Sequence, residues 1–214
     1  MKHLELSPPL LIIVMGLPGS GKSFFGRQLA EEYQLPRISE DVIRYELFEK
    51  PQFNNDEADI IERIFNYALS QVVVTGETVI CEGSYLKTKQ RKSLATIAKA
   101  NGYKTLTVWL QTDLETSMKR AATRDRRNPD NKLAFEINTA TFNKIKAELQ
   151  RPSEKEPFVV ISGKHAFKSQ CLTVLRKITS IYSIDVLNKQ LHVPKQRPSN
   201  PAVAARTQRQ RFVQ

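Results

Sequence analysis

Along the chain, short continuous apolar runs alternate with stretches in which apolar residues return every three or four positions, and that alternation predicts the elements. Leu10-Leu11-Ile12-Ile13-Val14-Met15 is apolar throughout and rich in branched side chains, which predicts a strand buried on both faces. From Lys22 to Tyr33, Phe25, Leu29 and Tyr33 fall at helical spacing while Gln28, Glu31 and Glu32 occupy other faces. Pro36 to Ser39 is a short second strand, and Glu40-Asp41-Val42-Ile43-Arg44 opens another helix. Asn54-Asn55-Asp56 offers capping side chains ahead of Ile60, Ile61, Ile64, Phe65, Ala68, Leu69, Val72 and Val73, an amphipathic helix that Gly76 closes.

The same reading continues to the end of the core. Thr78 to Gly83 is a third strand with an acid, Glu82, at its carboxyl end. A helix is predicted over 88–100 with Leu94, Ile97 and Ala98 inward, then a strand over 104–111 containing Trp109. Asp113 caps a helix running to about residue 127. The turn Asn128-Pro129-Asp130-Asn131, a helix over 139–149, a strand over 158–162 and a closing helix over 170–182 complete the pattern. Strands separated by helix-length segments mean an α/β fold, a parallel sheet with helices on both faces.

Composition narrows the class. A chain of 214 residues with 40% hydrophobic content supports one sizeable core. No run reaches the roughly 20 apolar residues of a membrane helix, and the first apolar run lacks a small-residue cleavage site, so it reads as a strand and not a signal peptide. Cys81 and Cys171, far apart in sequence, suggest reduced thiols and a cytoplasmic protein. His3, His165 and His192 form no metal or nucleophile pattern and are given no role. Of the net charge of +11, six positive charges fall after Asp185, where there is no acid, leaving the preceding residues near +5. Pro194, Pro198 and Pro201 interrupt that segment. It divides the chain into a core domain over 1–185 and a basic, disordered arm over 186–214, which either binds nucleic acid through counterion release or is a solvated tail.

The strongest chemical signal follows the first strand. Gly16-Leu17-Pro18-Gly19-Ser20-Gly21-Lys22-Ser23 fits G-x-x-x-x-G-K-[ST], the loop whose backbone N–H groups close around a polyphosphate at a helix N-terminus. Lys22 reaches the β- and γ-phosphates and Ser23 holds Mg²⁺. In a parallel sheet ligands bind beyond the carboxyl ends of the strands, so the residues after each strand are the next candidates. Asp41 and Arg44, three apart at a helix start, share one face. Asp41 either takes the acceptor hydroxyl proton or caps the helix, and Arg44 either grips an acceptor phosphate or carboxylate or is solvated. Glu82 either orients Mg²⁺ through a water or forms a rim salt bridge. Arg120, Arg124 and Arg127 line one helical face with Arg126 beside them, which suggests a helical lid over about 120–140 that closes arginines onto the nucleotide, or else a solvated basic face.

These residues resemble the P-loop kinases that include phage-type polynucleotide 5′-hydroxyl kinase, zeta-toxin-like kinases and many small predicted kinases of bacteria, over roughly residues 10 to 163. Ile38-Ser39-Glu40-Asp41-Val42-Ile43-Arg44 is similar to the polynucleotide kinase segment whose Asp activates the 5′-hydroxyl and whose Arg contacts the acceptor phosphate. Met118-Lys119-Arg120-Ala121-Ala122-Thr123-Arg124 resembles the lid that supplies the clamp arginine, so the resemblance implies Arg124 first and Arg120 second. It also implies a five-stranded sheet of order 2-3-1-4-5 and ATP with Mg²⁺ as donor. Glu82-Gly83 departs from the acidic turn of the polynucleotide kinase, and the phosphatase domain often fused to that enzyme is missing. The expectation is an ATP-dependent kinase acting on a hydroxyl, with a nucleic-acid 5′ end as leading acceptor. A kinase of a sugar, nucleotide sugar or antibiotic, and an RNA-binding ATPase without transfer, are the alternatives. No Asn-Lys-x-Asp or Asp-x-x-Gly motif supports a GTPase.

Overall fold

The computed structural model describes residues 4–49, 51–52, 54–123 and 137–191, the last eight as helical backbone alone. Two compact units divide the chain, Met1–Thr179 and Ser180–Gln214. The first contains the whole sheet and the candidate site.

Five strands form one parallel sheet: β1 Leu10–Met15, β2 Arg37–Ser39, β3 Val79–Glu82, β4 Lys104–Gln111 and β5 Phe158–Ser162, in the order β2-β3-β1-β4-β5. Among the described residues seven helices accompany them: α1 Lys22–Tyr33, α2 Glu40–Leu47, α3 Asn55–Val73, α4 Thr88–Ala100, α5 Leu114–Ala122, α6 Thr139–Ala147 and α7 Phe167–Leu191. This is the P-loop NTPase architecture that the resemblance implies. None of the described helices is long and apolar enough to cross a membrane.

Every residue of β1 is buried, as its unbroken apolar run requires. Leu11, Ile13 and Met15 enter a core with Phe65, Leu69 and Val73 of α3 and Leu94 and Ala98 of α4. The alternate positions Leu10, Ile12 and Val14 are equally buried. Helix α1 packs on β1 and β3 and meets α7 through the Phe25 and Phe167 rings, 6.1 Å apart. A smaller apolar cluster joins Leu17 of the glycine-rich loop to Leu86, Ala121 and Phe142, with Met118, Ile137, Ile145 and Leu149 around it. It couples that loop to α5, α6 and the segment after β3.

Two helices differ from the sequence expectation by three residues or more. Helix α7 begins three residues earlier and runs to Leu191, so the boundary placed after residue 185 falls within a helix. The helix predicted to reach about residue 127 is described only as α5, to Ala122. Residues 124–136 and 192–214, which include the predicted turn at 128–131 and most of the basic arm, lie outside the described residues.

Helix α4 holds a residue that its apolar periodicity does not foretell. Arg91 is 1% exposed, and its guanidinium is saturated. Nε donates to Glu156 Oε2 at 2.8 Å, Nη1 to the carbonyls of Tyr85 and Leu86 at 2.9 and 3.1 Å, and Nη2 to Thr88 Oγ1 and Glu156 Oε1 at 3.3 and 3.4 Å. Desolvation of a cation this deep is repaid only while every donor has an acceptor. Arg91→Ala takes the cation from Glu156 and the donor from the Tyr85 carbonyl, while Leu86 keeps the Gln150 N–H, and it should lower unfolding free energy by about 3–5 kcal/mol, read from the urea midpoint.

Candidate active site

The loop after β1 is shaped by backbone that side chains resist. Gly19 has φ 75, and a Cβ there would stand 2.1 Å from the Ser117 carbonyl oxygen; only glycine permits both the turn and the approach. Gly21 caps α1 with φ 100, offers no side-chain acceptor, and no acid follows in the first turn. The helix N-terminus therefore points its unmatched N–H groups and positive end into the loop. Ser20 Oγ is buried without a hydrogen-bond partner among the described residues. Lys22 Nζ donates to the carbonyls of Gly16 and Leu17 at 2.9 and 3.0 Å, which folds its charge over the same loop. Gly16, Leu17, Pro18, Gly19, Ser20, Gly21, Lys22 and Ser23 thus form one continuous turn, closed by the Ser20 N–H on the Leu17 carbonyl at 3.1 Å, that carries an orphan hydroxyl and a cation. This fits a polyphosphate. Ser23 sits in the first turn of α1, and no group of three or more His, Cys, Asp or Glu side chains able to hold a metal occurs among the described residues. A Mg²⁺ here fits as an ion carried on the phosphates with one protein hydroxyl and water, its usual mode.

Across the sheet the registers place the carboxylates. Ser39 pairs with Glu82, and Glu82 with Val14, so the ends of β2, β3 and β1 lie in one row. With strands about 4.8 Å apart, the residues after β2 stand about 10 Å to the side of the phosphate loop. Ser39 caps α2, its Oγ accepting from the Val42 N–H at 3.4 Å. Asp41 is therefore not the cap, and its carboxylate is exposed at the edge of this row. Arg44 donates from Nη1 to Glu57 Oε2 at 3.0 Å, and both side chains are largely buried. Glu57 Oε1 also accepts from the Gln52 N–H at 2.5 Å. Arg44 is thus engaged by α3. Glu82, 2% exposed, is bound by the Arg37 guanidinium and pressed against Gly26 of α1, where a Cβ would stand 3.0 Å from its Oε2.

Two residues at this edge escape a motif reading. Glu40 lies under Gly83, whose Cβ position is 2.5 Å from Glu40 Oε2 and 2.9 Å from Tyr85 Cε2. Burial, then the charge of Asp41, pushes the Glu40 carboxyl up to about 7, against the opposing pull of the Ser84 N–H, Arg44 and the Tyr85 hydroxyl. Burial and the same carboxyl raise the Tyr85 phenol well above its ordinary range. The sequence signal was a second acid beside Asp41 at the end of a buried strand; nothing local marks Tyr85. Gly83→Ala drives a methyl into both groups. It should leave ATP affinity unchanged and cut transfer by up to about 10²-fold through misplacement alone, a contrast read by calorimetry beside single-turnover kinetics.

On the other side of the loop, Arg120 is exposed and donates to the Gly163 carbonyl at 3.2 Å. Thr112 Oγ1 donates to the Ser20 carbonyl at 3.2 Å. Lys164, with the Thr116 N–H, holds the Asp113 carboxyl well below the usual range. Arg124, Arg126 and Arg127 lie outside the described residues, so the structure brings only Arg120 of the expected lid cations to this region.

A sequence model for the AAA domain matches residues 11–152, from β1 through the end of the α6 segment. The chain belongs to the AAA domain family. No curated protein matches it in sequence. Solved structures share the fold at low identity. A sugar kinase from Janibacter sp. HTCC2649 superposes with TM-score 0.60 at 16% identity, over 80% of this chain and 95% of that one. A gluconokinase from Sinorhizobium meliloti 1021 gives 0.59 at 20%, over 86% and 99%. Chaetomium thermophilum Kti12 in complex with ADP-AlF3 gives 0.58 at 20%, over 79% and 97%. These structures share the P-loop NTPase fold, and the family implies nucleotide binding.

Proposed function

We propose that this chain transfers the γ-phosphoryl group of ATP, with Mg²⁺, to an acceptor hydroxyl. One observation carries the reading: an exposed carboxylate, Asp41, stands at the carboxyl edge in the same strand row as an open phosphate cradle, with the helix cap supplied by Ser39. Lys22 and the α1 N-terminus hold the β- and γ-phosphates, and Ser23 holds the ion. Asp41 orients the acceptor hydroxyl and accepts its proton as the phosphoryl group moves. Glu82, held by Arg37 at the end of the strand beside β1, would orient water on Mg²⁺ were the ion bound. Arg120, and Arg124 from the lid, neutralise charge on the moving group.

For the acceptor, the Asp41–Arg44 spacing and the basic C-terminal segment favour a nucleic-acid 5′-hydroxyl. A second reading has its own support. Arg44 is already neutralised by Glu57, and Glu40 and Asp41 give the edge an acidic character suited to uncharged hydroxyls, as in a sugar, nucleotide sugar or antibiotic; similarity to a sugar kinase and a gluconokinase agrees with it. A cytoplasmic setting follows from the use of ATP and the reduced cysteines Cys81 and Cys171. The test is incubation with γ-labelled ATP and Mg²⁺ beside 5′-hydroxyl RNA, 5′-hydroxyl DNA and a pool of small polyols. Label in an ester of one acceptor supports transfer and names the class, whereas label released solely as inorganic phosphate rejects it in favour of a nucleotide-dependent RNA-binding ATPase.

A further inference from the structure

The turns that follow β4 and β5 meet the glycine-rich loop from outside. Gly163, the first residue after β5, donates its N–H to the Gln111 carbonyl at 2.8 Å, which lays the two turns side by side. Its Cα lies against the Ser20–Gly21 peptide so closely that a Cβ there would stand 1.9 Å from the Ser20 carbonyl oxygen and 2.4 Å from Thr112 Oγ1. Gly163 has no left-handed φ, so its missing Cβ serves this approach and not a turn. The Ser20 carbonyl accepts from the Thr112 hydroxyl at 3.2 Å. Elsewhere the loop meets the same β4–α5 connection by packing: a Cβ at Gly16 would stand 2.6 Å from the Leu110 carbonyl oxygen, and one at Gly19 2.1 Å from that of Ser117. Ser20 is the position held by a directed bond.

That bond fixes more than a carbonyl. The Ser20–Gly21 peptide is trans, hence planar, with its C=O and N–H antiparallel. Anchoring the Ser20 oxygen on Thr112 therefore turns the Gly21 N–H to the opposite side. This N–H has no hydrogen bond among the described residues, and it belongs to the cap residue of α1, where a helix N-terminus meets an anion. The preceding N–H, that of Ser20, is already taken by the Leu17 carbonyl at 3.1 Å.

We propose that Thr112 is a positioning residue of the phosphate loop, its hydroxyl, seated against Gly163, fixing the Ser20–Gly21 peptide so that the Gly21 N–H donates to a bound polyphosphate. The inference rests on the reading of residues 16–23 as the phosphate site. Gly163 also accepts from Arg120 Nη1 at 3.2 Å, so the turn that seats Thr112 touches a cation assigned to the moving phosphoryl group as well.

The experiment uses the full chain and its Thr112→Val, Thr112→Ser and Gly163→Ala variants, titrated calorimetrically with ATP and with inorganic tripolyphosphate, each in Mg²⁺. Thr112→Val keeps the branched shape and removes the donor. It should weaken both ligands about tenfold, the scale of one neutral hydrogen bond, with Tm near the wild-type value, and Thr112→Ser should restore both affinities. Gly163→Ala pushes a methyl into the same peptide and should cost more; the double variant with Thr112→Val should bind no worse than Gly163→Ala alone, because both act through one group. In the wild type the Gly21 amide resonance should move downfield on saturation with tripolyphosphate, and move less in Thr112→Val. Wild-type affinity in Thr112→Val, a loss that Thr112→Ser does not restore, or a Gly21 amide that tripolyphosphate leaves in place overturns the proposal, as does a loss confined to ATP, which would put Thr112 against the nucleoside. A wild type that binds neither ligand rejects the phosphate site itself, and this role of Thr112 with it.

Discussion

Lys22→Ala should reduce ATP turnover by about 10²–10³-fold or more with little change in the unfolding midpoint. Lys22 Nζ contacts loop carbonyls at 2.9 and 3.0 Å, so its charge already lies over the cradle before any phosphate enters. Removing it leaves the N–H donors of the α1 N-terminus in place, and binding should therefore weaken less than turnover falls. The distinction follows from the course of the reaction: charge on the β–γ bridge and the leaving oxygens grows as the γ-phosphoryl group departs, and a cation placed there acts mainly on the transition state. Fold integrity is a fair expectation because Lys22 is half-buried and tied to backbone groups that water can satisfy. Comparison of steady-state ATP turnover with calorimetric ATP affinity checks this. Normal turnover in the variant rejects the cradle as the site of chemistry.

Asp41→Asn should leave ATP affinity near the wild-type value while phosphoryl transfer falls by about 10²-fold or more. The side chain is exposed and the helix cap belongs to Ser39, so neither the start of α2 nor its packing depends on the carboxylate. The amide is isosteric and still accepts a hydrogen bond, but it cannot take a proton. An equal transfer rate would remove Asp41 from the chemistry. Asp41→Asn also places a neutral group beside Glu40, whose carboxyl the Asp41 charge raises, so any pH limb near 7 should move to lower pH in this variant.

How far the sequence showed this depends on the range of the interaction. Helices 22–33 and 88–100 and strands 10–15, 104–111 and 158–162 have the limits that apolar periodicity predicts, because each is decided by which side chains must leave water. Asn54 and Asp113 cap their helices as read, a strictly local interaction. Sheet order follows from family resemblance, since no local pattern distinguishes which neighbours a buried parallel strand takes.

Pairings between polar residues distant in sequence were not legible. Glu82 finds Arg37, Arg44 finds Glu57 and Arg91 finds Glu156, with separations that no spacing rule connects. Each pairing changes the meaning of a residue: Arg91, apparently one more charge on a helix, is the deepest cation described, and Arg44, read as a phosphate contact, is braced by α3. Ser39 as the cap was hidden because Asp41 offers the same chemistry two residues later. Glu40 needed the position of Gly83, just beyond β3, to be seen at all.

The central claim is that the loop from Gly16 to Ser23 grips a triphosphate, and calorimetric titration of the full chain with ATP, ADP and AMP in Mg²⁺ tests it most directly. If the loop holds the phosphate chain, ATP and ADP should bind with a single saturating isotherm and AMP markedly more weakly. No heat with ATP, or AMP binding as tightly as ATP, would contradict it.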